Sequence, residues 1–286
     1  MLLRDQIKAA YIEACHGEIA ALKPGNVHRF ADGHRMVAQQ FIESAEISAG
    51  PLCNFGDSVG QRVLNAVAAT RTKIGTNTNL GIILLCAPLA KAAEDDDAPL
   101  DTRLSLVLEM MDQADARDVF DAITLANPGG LGSSEKHDVS KAPSVPLREA
   151  MQEAADRDMI AKQYATDFKD IFSGGLSTYA EALNRREQGM WPTVFVYMYF
   201  LTSFPDSHIG RKQGTDIAEQ TRMEAVQILQ TLADTNDATT REMLLMDFDI
   251  RLKARGINPG TSADLTVATL FAARLNFILH NNNVNA

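Results

Sequence analysis

The sequence has little of what would point to a sheet, a disulfide scaffold or a membrane protein. Only 6% of its 286 residues are aromatic, and it has one tryptophan and three cysteines. Cys15, Cys53 and Cys86 are far apart and form no CxxC pair, so we expect buried thiols in a reducing compartment. The longest apolar run, residues 82–90, is too short to span a bilayer, and residues 1–14 lack the apolar core of a signal sequence. These absences predict a cytoplasmic protein with no membrane partner.

Positive charge is also scarce. Lysine and arginine number 27 against 37 acidic residues, which gives a formal net charge of −10. A general nucleic-acid binder needs a basic surface, so we expect no nucleic-acid partner. A local cationic pocket for a phosphorylated small molecule stays compatible with this balance. The sequence also contains no Walker A motif, no GxGxxG fingerprint and no nucleophile elbow.

What the chain does contain is helical periodicity along nearly its whole length, with no convincing period-two run. Residues 193–204 are β-branched and aromatic enough for a strand, but the segment is long and isolated, so we predict a buried helix. No linker or repeat divides the chain, and we therefore predict a single all-α domain over residues 1–286. The helices are expected at 3–21, after His34, and at 57–73, 80–93, 101–112, 115–126, 147–155, 158–170, 175–188, 192–203, 215–234, 237–254 and 261–280.

Five polar, glycine-marked breaks interrupt the helices, at residues 23–34, 75–81, 127–138, 205–214 and 256–264. A single polar loop is most often a solvated connector. Five similar loops in a helical protein are better explained if they meet at one site, because functional residues concentrate on loops held by a rigid scaffold. The sequence therefore predicts one cleft lined by Lys23, His28, Asn77, Asp138, Asp206, Arg211 and Asp264.

The side chains in these breaks are of three kinds: histidines (His28, His34, His137, His208), carboxylates (Asp32, Asp138, Asp206, Asp264) and cations (Lys23, Arg29, Arg211, Lys212). Zinc is disfavoured, since there is no HxxxH pair and no cysteine partner. Oxygen ligands in turns suit Mg²⁺ with phosphates, and the cations suit phosphate oxygens. The plainer alternatives remain open: Asp264 could simply match the charge of a helix N-terminus, and Arg211 and Lys212 could be surface charges.

Four stretches resemble the triphosphoribosyl-dephospho-CoA synthases, and their order and spacing agree over nearly the whole chain. They are KPG at 23–25 with GH at 33–34, the turn containing Asn77 before an apolar helix, residues 206–214, and NPGTSADL at 258–265, which is close to the family's SPGGSADLL. The resemblance implies an all-helical fold and a reaction that uses ATP with Mg²⁺. In that family the ribose of ATP is joined to the 2′-hydroxyl of dephospho-CoA, and adenine is released.

The sequence departs from the family's pattern at three of these points. His28 stands where the family has an aspartate, and Asn79 and Leu80 replace a His-Lys pair. Residues 206–214 also differ from the family's DTNLxHRGG. A divergent branch, whose members occur with one-carbon, pterin- and furan-coenzyme metabolism, resembles this chain better. The acceptor could therefore be a coenzyme precursor other than dephospho-CoA.

The resemblance, together with the chemistry of an N-glycosidic bond, assigns expected roles. Asp206 and Asp264 would hold Mg²⁺, and Asp138 is a further catalytic or ligand candidate. The phosphates would be bound by Lys23, Arg29, Arg211 and Lys212. The base would be His28 or His208, and Asn77 and Asn79 would orient the nucleotide. A different ATP-dependent enzyme such as a kinase, a ribosyl hydrolase, and a non-catalytic helical subunit are the alternatives. The expected partners are a nucleotide and a small acceptor, and a homodimer stays open.

Overall fold

The computed structural model describes residues 2–33, 36–95, 97–130, 137–235 and 237–284. Within these ranges the chain forms fourteen α-helices and one π-helical segment. The only extended pairings there are two isolated bridges, His28 with Ala31 and Gly33 with Met36. The prediction of an all-α fold is confirmed, and residues 193–204 are indeed helical up to Ser203.

The helices follow one another along the chain with short connections. Their bounds are α1 Arg4–Ile19, α2 Ala38–Leu52, α3 Val59–Ile74, α4 Leu80–Ala92, α5 Leu100–Met110, α6 Gln113–Ala126, α7 Leu147–Ala154, α8 Met159–Ala165, α9 Leu176–Asn184, α10 Trp191–Ser203, α11 Ser207–Gln213, α12 Thr215–Ala233, α13 Ala238–Ala254 and α14 Gly260–Val284. The π-helical segment Asp170–Gly175 lies between α8 and α9.

The last helix, α14, is the central element. It packs against α1, α4 and α10, and side chains such as Val267, Phe271 and Leu275 are fully buried. Residues Gly260–Asn281 are long and apolar enough to cross a membrane by length and composition, but 67% of the apolar window is buried inside the fold. A core helix needs the same apolarity on all sides, so burial accounts for its composition.

Two apolar clusters share α10 and α14. One joins α1 to α8 with most of α14, and the other joins α9 to α13 with the first turns of α14. Cys15, Cys53 and Cys86 are buried and unpaired in the first cluster, as expected from their apolar contexts. The clusters meet where α14 begins, beside the N-terminal end of α4, and this junction holds the cavity described below.

The segment after α8 differs from the predicted helix at 158–170. The α-helix ends at Ala165, because Asp167 and Phe168 adopt left-handed conformations with φ of 53° and 57°. The following π-helical turn packs closely: a Cβ on Gly175 would lie 2.9 Å from Thr269 Cγ2 and 3.1 Å from the ring of Phe200. Such close packing against two other helices depends on residues far away in sequence, so local periodicity does not reveal it.

Helix α11 lies inside a segment that was predicted as a polar break. Its seven residues are too few to show helical periodicity, and they contain Gly210. Asp206 caps the helix and Ile209 is buried against the second cluster. Capping and tertiary burial therefore stabilise a helix whose own sequence does not predict it.

Candidate active site

A cavity of about 1720 Å³ lies at the junction of the two clusters. All five polar breaks reach it, and four of them do so through several residues each, near 76–81, 127–129 with 137–139, 205–212 and 258–264. The cavity wall includes nine residues that the sequence singled out: Asn77, Asn79, His137, Asp138, Asp206, His208, Arg211, Lys212 and Asp264. The first break contributes Asn26, Met36 lines the cavity just after that break, and His34 lies outside the described residues.

Lys23 is not on the cavity wall, contrary to the prediction. Its side chain is fully buried, and its ammonium donates to Glu18, to Asn26 Oδ1 at 3.1 Å and to the Val27 carbonyl at 2.8 Å. Glu18 and Asn26 do line the cavity, so Lys23 lies one layer behind it. Burial lowers the pKa of Lys23, and the Glu18 carboxylate opposes that shift. The lysine holds these two groups in place, and all its donors are used within the protein.

His28 also lies away from the cavity. It is fully buried, with its Nε2 3.4 Å from Asp249 Oδ1. Asp249 accepts a hydrogen bond from the Gly25 amide at 2.8 Å and pairs with Lys253 at 3.0 Å. Burial lowers the pKa of His28. Burial alone would raise the pKa of Asp249, but the hydrogen bonds that its carboxylate accepts outweigh burial and lower its pKa. This cluster fastens the first break to α13, which is a structural role.

Arg29 and Asp32 lie at the surface. The guanidinium of Arg29 is 4.5 Å from the centre of the Phe30 ring, and Asp32 Oδ1 accepts from the Ala38 amide at 3.1 Å near the start of α2. Neither side chain lines the cavity. The structure therefore does not place Arg29 where it could bind phosphate there.

Asp206 lies on the cavity wall, but its carboxylate accepts hydrogen bonds from the first turns of two helices. Its Oδ1 accepts from the amides of His208 and Ile209 at the start of α11. Its Oδ2 accepts from the amide and the hydroxyl of Ser262 in the first turn of α14, both at 2.8 Å. Burial raises its pKa, although these bonds oppose the rise. All four lone-pair positions of the carboxylate are occupied, which leaves it poorly suited to bind a cation directly.

Asp264 is a partly buried carboxyl group on the cavity wall. It projects from α14 and makes no hydrogen bond within the described part of the chain, although it retains some exposure to the cavity. Its carboxylate lies against Gly81 at the start of α4, where a Cβ would stand 2.6 Å from Asp264 Cγ. Burial raises its pKa well above the usual range, and the neighbouring charges of Glu18 and Asp206 add to this, while Arg211 opposes it.

Positive charge reaches the cavity from α11. Arg211 donates from Nη1 to Asp158 Oδ2 at 2.9 Å, and its Nε is buried without a partner among the described residues. Lys212 is exposed, and its Cε would lie 3.1 Å from a Cβ on Gly129 in the neighbouring loop. Two cations thus stand at one side of the cavity, and the guanidinium retains unused donors.

His208 and the two asparagines take defined positions. The ring of His208 lies over Gly260, where a Cβ would be 2.9 Å from Nδ1, so the ring depends on a glycine at that position. Asn77 Oδ1 accepts from the Leu80 amide at 3.1 Å and supports the start of α4. Asn79 donates toward Ser44 and Ser48 in a buried network.

Asp138 forms a local turn on the cavity wall. Its Oδ1 accepts from the amide of Ser140 at 2.9 Å and from the Ser140 hydroxyl at 2.6 Å. His137, next to it, also lines the cavity and has a positive φ of 49°. The turn brings both side chains to the cavity, but it already engages one oxygen of the Asp138 carboxylate.

One wall of the cavity is apolar. It consists of the facing sides of α6 and α7, namely Phe120, Ile123, Ala126, Ala150, Met151 and Ala154. These helices pack against each other. The cavity therefore has a charged side formed by α11 and the start of α14, and an apolar side formed by α6 and α7. This division suits two ligands of different character.

A metal centre formed by the protein alone is not present in the described ranges, where no three His, Cys, Asp or Glu side chains are grouped for a metal ion. Mg²⁺ commonly keeps several waters and binds through one or two carboxylates plus the phosphates of a substrate. The free carboxylate of Asp264 fits that mode, in which the cation arrives with the nucleotide.

Glu18 and Asp158 are among the cavity residues that sequence reasoning missed. Glu18 lies in the last turn of α1, within a predicted helix, and Asp158 is at a predicted helix start, where a helix-capping residue is common. Both line the cavity and both are paired with a cation, Lys23 and Arg211 respectively. No local pattern marks either one, because their partners lie on other elements.

Comparisons with known proteins identify the family to which the chain belongs. Residues 4–282 match the CitG family, described as ATP:dephospho-CoA triphosphoribosyl transferase. A crystal structure from Archaeoglobus fulgidus, assigned provisionally as a triphosphoribosyl-dephospho-CoA synthase, is similar in fold, with a TM-score of 0.62 and 24% identity over 81% of this chain and 97% of that one. No curated protein matches the chain significantly. Since the family match spans nearly every residue, the chain belongs to the ATP:dephospho-CoA triphosphoribosyl transferase family and is a transferase.

Proposed function

We propose that this transferase moves the triphosphoribosyl group of ATP onto a hydroxyl of a second substrate and releases adenine. The observation that carries the proposal is the presence, within one cavity, of the cations on α11 and of the Asp264 carboxyl group, which makes no hydrogen bond within the described residues. The cations on α11 suit the triphosphate, and the Asp264 carboxyl group suits a Mg²⁺ ion that arrives with the triphosphate. The family match supplies the reaction class.

The reaction exchanges one bond at the ribose for another. The bond from C1′ to the adenine nitrogen breaks, and the acceptor oxygen forms a new bond to C1′. The acceptor hydroxyl loses its proton, and adenine leaves as a neutral base with a proton on the nitrogen that was bonded to ribose. His208 and Asp138 are the candidates for accepting the hydroxyl proton, since both line the cavity and His28 does not.

Arg211 and Lys212 would bind the triphosphate. A guanidinium offers paired donors to phosphate oxygens, whereas an ammonium acts as a point charge. Asp264 would hold Mg²⁺ together with those phosphates. When bound, the cation neutralises phosphate charge and fixes the ribose in place.

The size and polarity of the cavity support two substrates at once. Pockets for one ligand usually occupy roughly 300 to 1,000 Å³, and this cavity is larger, at about 1720 Å³. The nucleotide would occupy the charged side. The acceptor would then lie against the apolar wall of α6 and α7, which favours a coenzyme precursor with an apolar portion.

The identity of the nucleotide product tests the proposal. Purified protein is incubated with ATP, Mg²⁺ and either dephospho-CoA or another coenzyme precursor that carries a free hydroxyl, and the bases and nucleotides are separated by chromatography. We expect adenine to appear in proportion to the acceptor consumed. Formation of ADP would instead identify a kinase, and free ribose triphosphate with adenine would identify a hydrolase.

A further inference from the structure

Asp158 connects two elements that line the cavity. It precedes α8 and caps it, because its Oδ1 accepts from the amides of Ile160 and Ala161 at 2.9 and 3.1 Å. Its second oxygen, Oδ2, accepts from Nη1 of Arg211 on α11 at 2.9 Å. One carboxylate therefore fixes the start of α8 and the guanidinium of Arg211 at the same time.

Two further contacts fix the backbone segments that carry Asp158 and Arg211. The amide of Met159, next to Asp158, donates to the Ser207 hydroxyl at 2.8 Å, which joins the start of α8 to the start of α11. On the other side of α11, a Cβ on Gly130 would lie 2.8 Å from the Arg211 carbonyl oxygen. The backbone of Arg211 is thus held between α8 and the loop of residues 127–130.

The pair is placed where it can act on a ligand. Both side chains line the cavity and are about one quarter exposed. Only Nη1 of Arg211 is used by Asp158, so the Nη2 donors of the guanidinium are left for another acceptor. A long arginine side chain loses considerable rotamer freedom when it binds phosphate, and a partner that holds it beforehand removes part of that cost.

We propose that Asp158 is a positioning residue, which holds the guanidinium of Arg211 in the orientation that binds the triphosphate of the donor. The inference rests on the proposed function in one respect, that the donor carries a triphosphate. Asp158 acts through Arg211 and does not itself touch the substrate. A role as a helix cap alone would affect folding and leave nucleotide binding unchanged.

The test uses Asp158→Asn, Arg211→Gln and the double variant. Asparagine caps a helix as well as aspartate does, so α8 stays capped while the arginine loses its charged partner. We expect Asp158→Asn to weaken ATP binding, measured by calorimetry, by about tenfold and to raise KM for ATP while kcat changes much less. In the Arg211→Gln background the same change should have almost no further effect, because the group through which it acts is gone.

Asp237→Asn is the matched control, since Asp237 caps α13 in the same way, through the Thr240 amide, and does not line the cavity. It should leave ATP binding unchanged. Unaltered ATP affinity in Asp158→Asn, or an equal loss in both backgrounds, would overturn the inference. ATP binding is measured without turnover. If the three variants bind ATP as expected but the product is not adenine, only the proposed reaction is refuted. Adenine release with additive effects would refute only the positioning role.

Discussion

The carboxylate of Asp264 on α14 lies directly against the backbone of Gly81 at the start of α4, with room for a hydrogen atom but not for a methyl group. This contact brings the most specific part of the family resemblance, residues 258–265, against the second break, residues 75–81. It also fixes a partly buried cavity carboxylate whose oxygens make no hydrogen bond within the described part of the chain.

Gly81→Ala should therefore impair activity while the fold persists. The added methyl group would stand 2.6 Å from Asp264 Cγ and force the carboxylate to move. Overpacking of this kind costs roughly 1 to 3 kcal/mol. We expect adenine release to fall strongly while the far-UV circular dichroism spectrum remains helical.

Gly50→Ala provides the control for that change. Gly50 is also helical, and nothing lies within 4 Å of its Cβ position. Alanine there should stabilise the protein by about 0.5 to 1 kcal/mol and leave turnover unchanged. Normal turnover in Gly81→Ala would show that the position of the Asp264 carboxylate does not matter for the reaction.

Asp264→Asn should separate activity from stability. Burial, and then the charges of Glu18 and Asp206, disfavour the charged form of this carboxyl group, and asparagine removes that cost. We expect an unchanged or higher melting temperature, together with a loss of turnover of roughly 10² to 10³-fold and a raised Mg²⁺ requirement. Near-normal turnover at low Mg²⁺ would exclude the metal role.

Asp206→Asn should instead lower the stability of the fold. The carboxylate accepts four hydrogen bonds from α11 and α14, and asparagine can replace only some of them. We expect a loss of about 1 to 3 kcal/mol in the free energy of unfolding, measured by urea denaturation. An unaltered unfolding free energy would show that the double cap is not needed and would restore Asp206 as a candidate ligand.

Lys23→Met should destabilise the fold because it leaves Glu18 buried without its cation. Breaking a buried pair costs about 3 to 5 kcal/mol, and the double variant with Glu18→Gln should recover much of it. Arg255→Met is the comparison, since its pair with Glu224 is exposed and should contribute less than about 1 kcal/mol. A stable Lys23→Met protein with weakened ATP binding would instead support the phosphate role predicted from the sequence.

The cluster around His28 predicts how stability depends on pH. Burial lowers the pKa of His28, so the unfolded chain binds a proton that the folded chain does not, starting below the ordinary value of about 6.5. Stability should be complete above that pH and should fall as the pH decreases, by at most about 1.4 kcal/mol per unit, until the folded pKa is reached. The pKa of Asp249 is lowered, so its contribution is lost only at still lower pH.

His28→Gln measures that contribution. The variant should show a flatter dependence of melting temperature on pH between about 7 and 5, because the group that takes up the proton on unfolding is gone. Identical slopes in the two proteins would show that another group is responsible for the acid sensitivity.

Much of the fold could be predicted from the sequence, because the buried side of a helix appears as a regular spacing of apolar residues within the helix itself. The apolar spacing of α1 and α3 and the all-apolar run of α4 predicted elements that the structure contains within a few residues of the expected bounds. The failures are informative: α11 depends on the cap from Asp206, and the π-helical segment depends on contact with α10 and α14. Neither leaves a periodic signal in its own sequence.

For the site, the sequence by itself determined which segments carry polar chemistry and which family they resemble. It did not determine which way each side chain points. Tertiary packing placed Asp264 on the cavity wall, turned Lys23 and His28 into buried partners of Glu18 and Asp249, and joined Asp158 to Arg211. The physical reason is that an isolated charge cannot be buried cheaply, so the role of each ionisable group depends on a partner that the fold brings from a distant part of the chain.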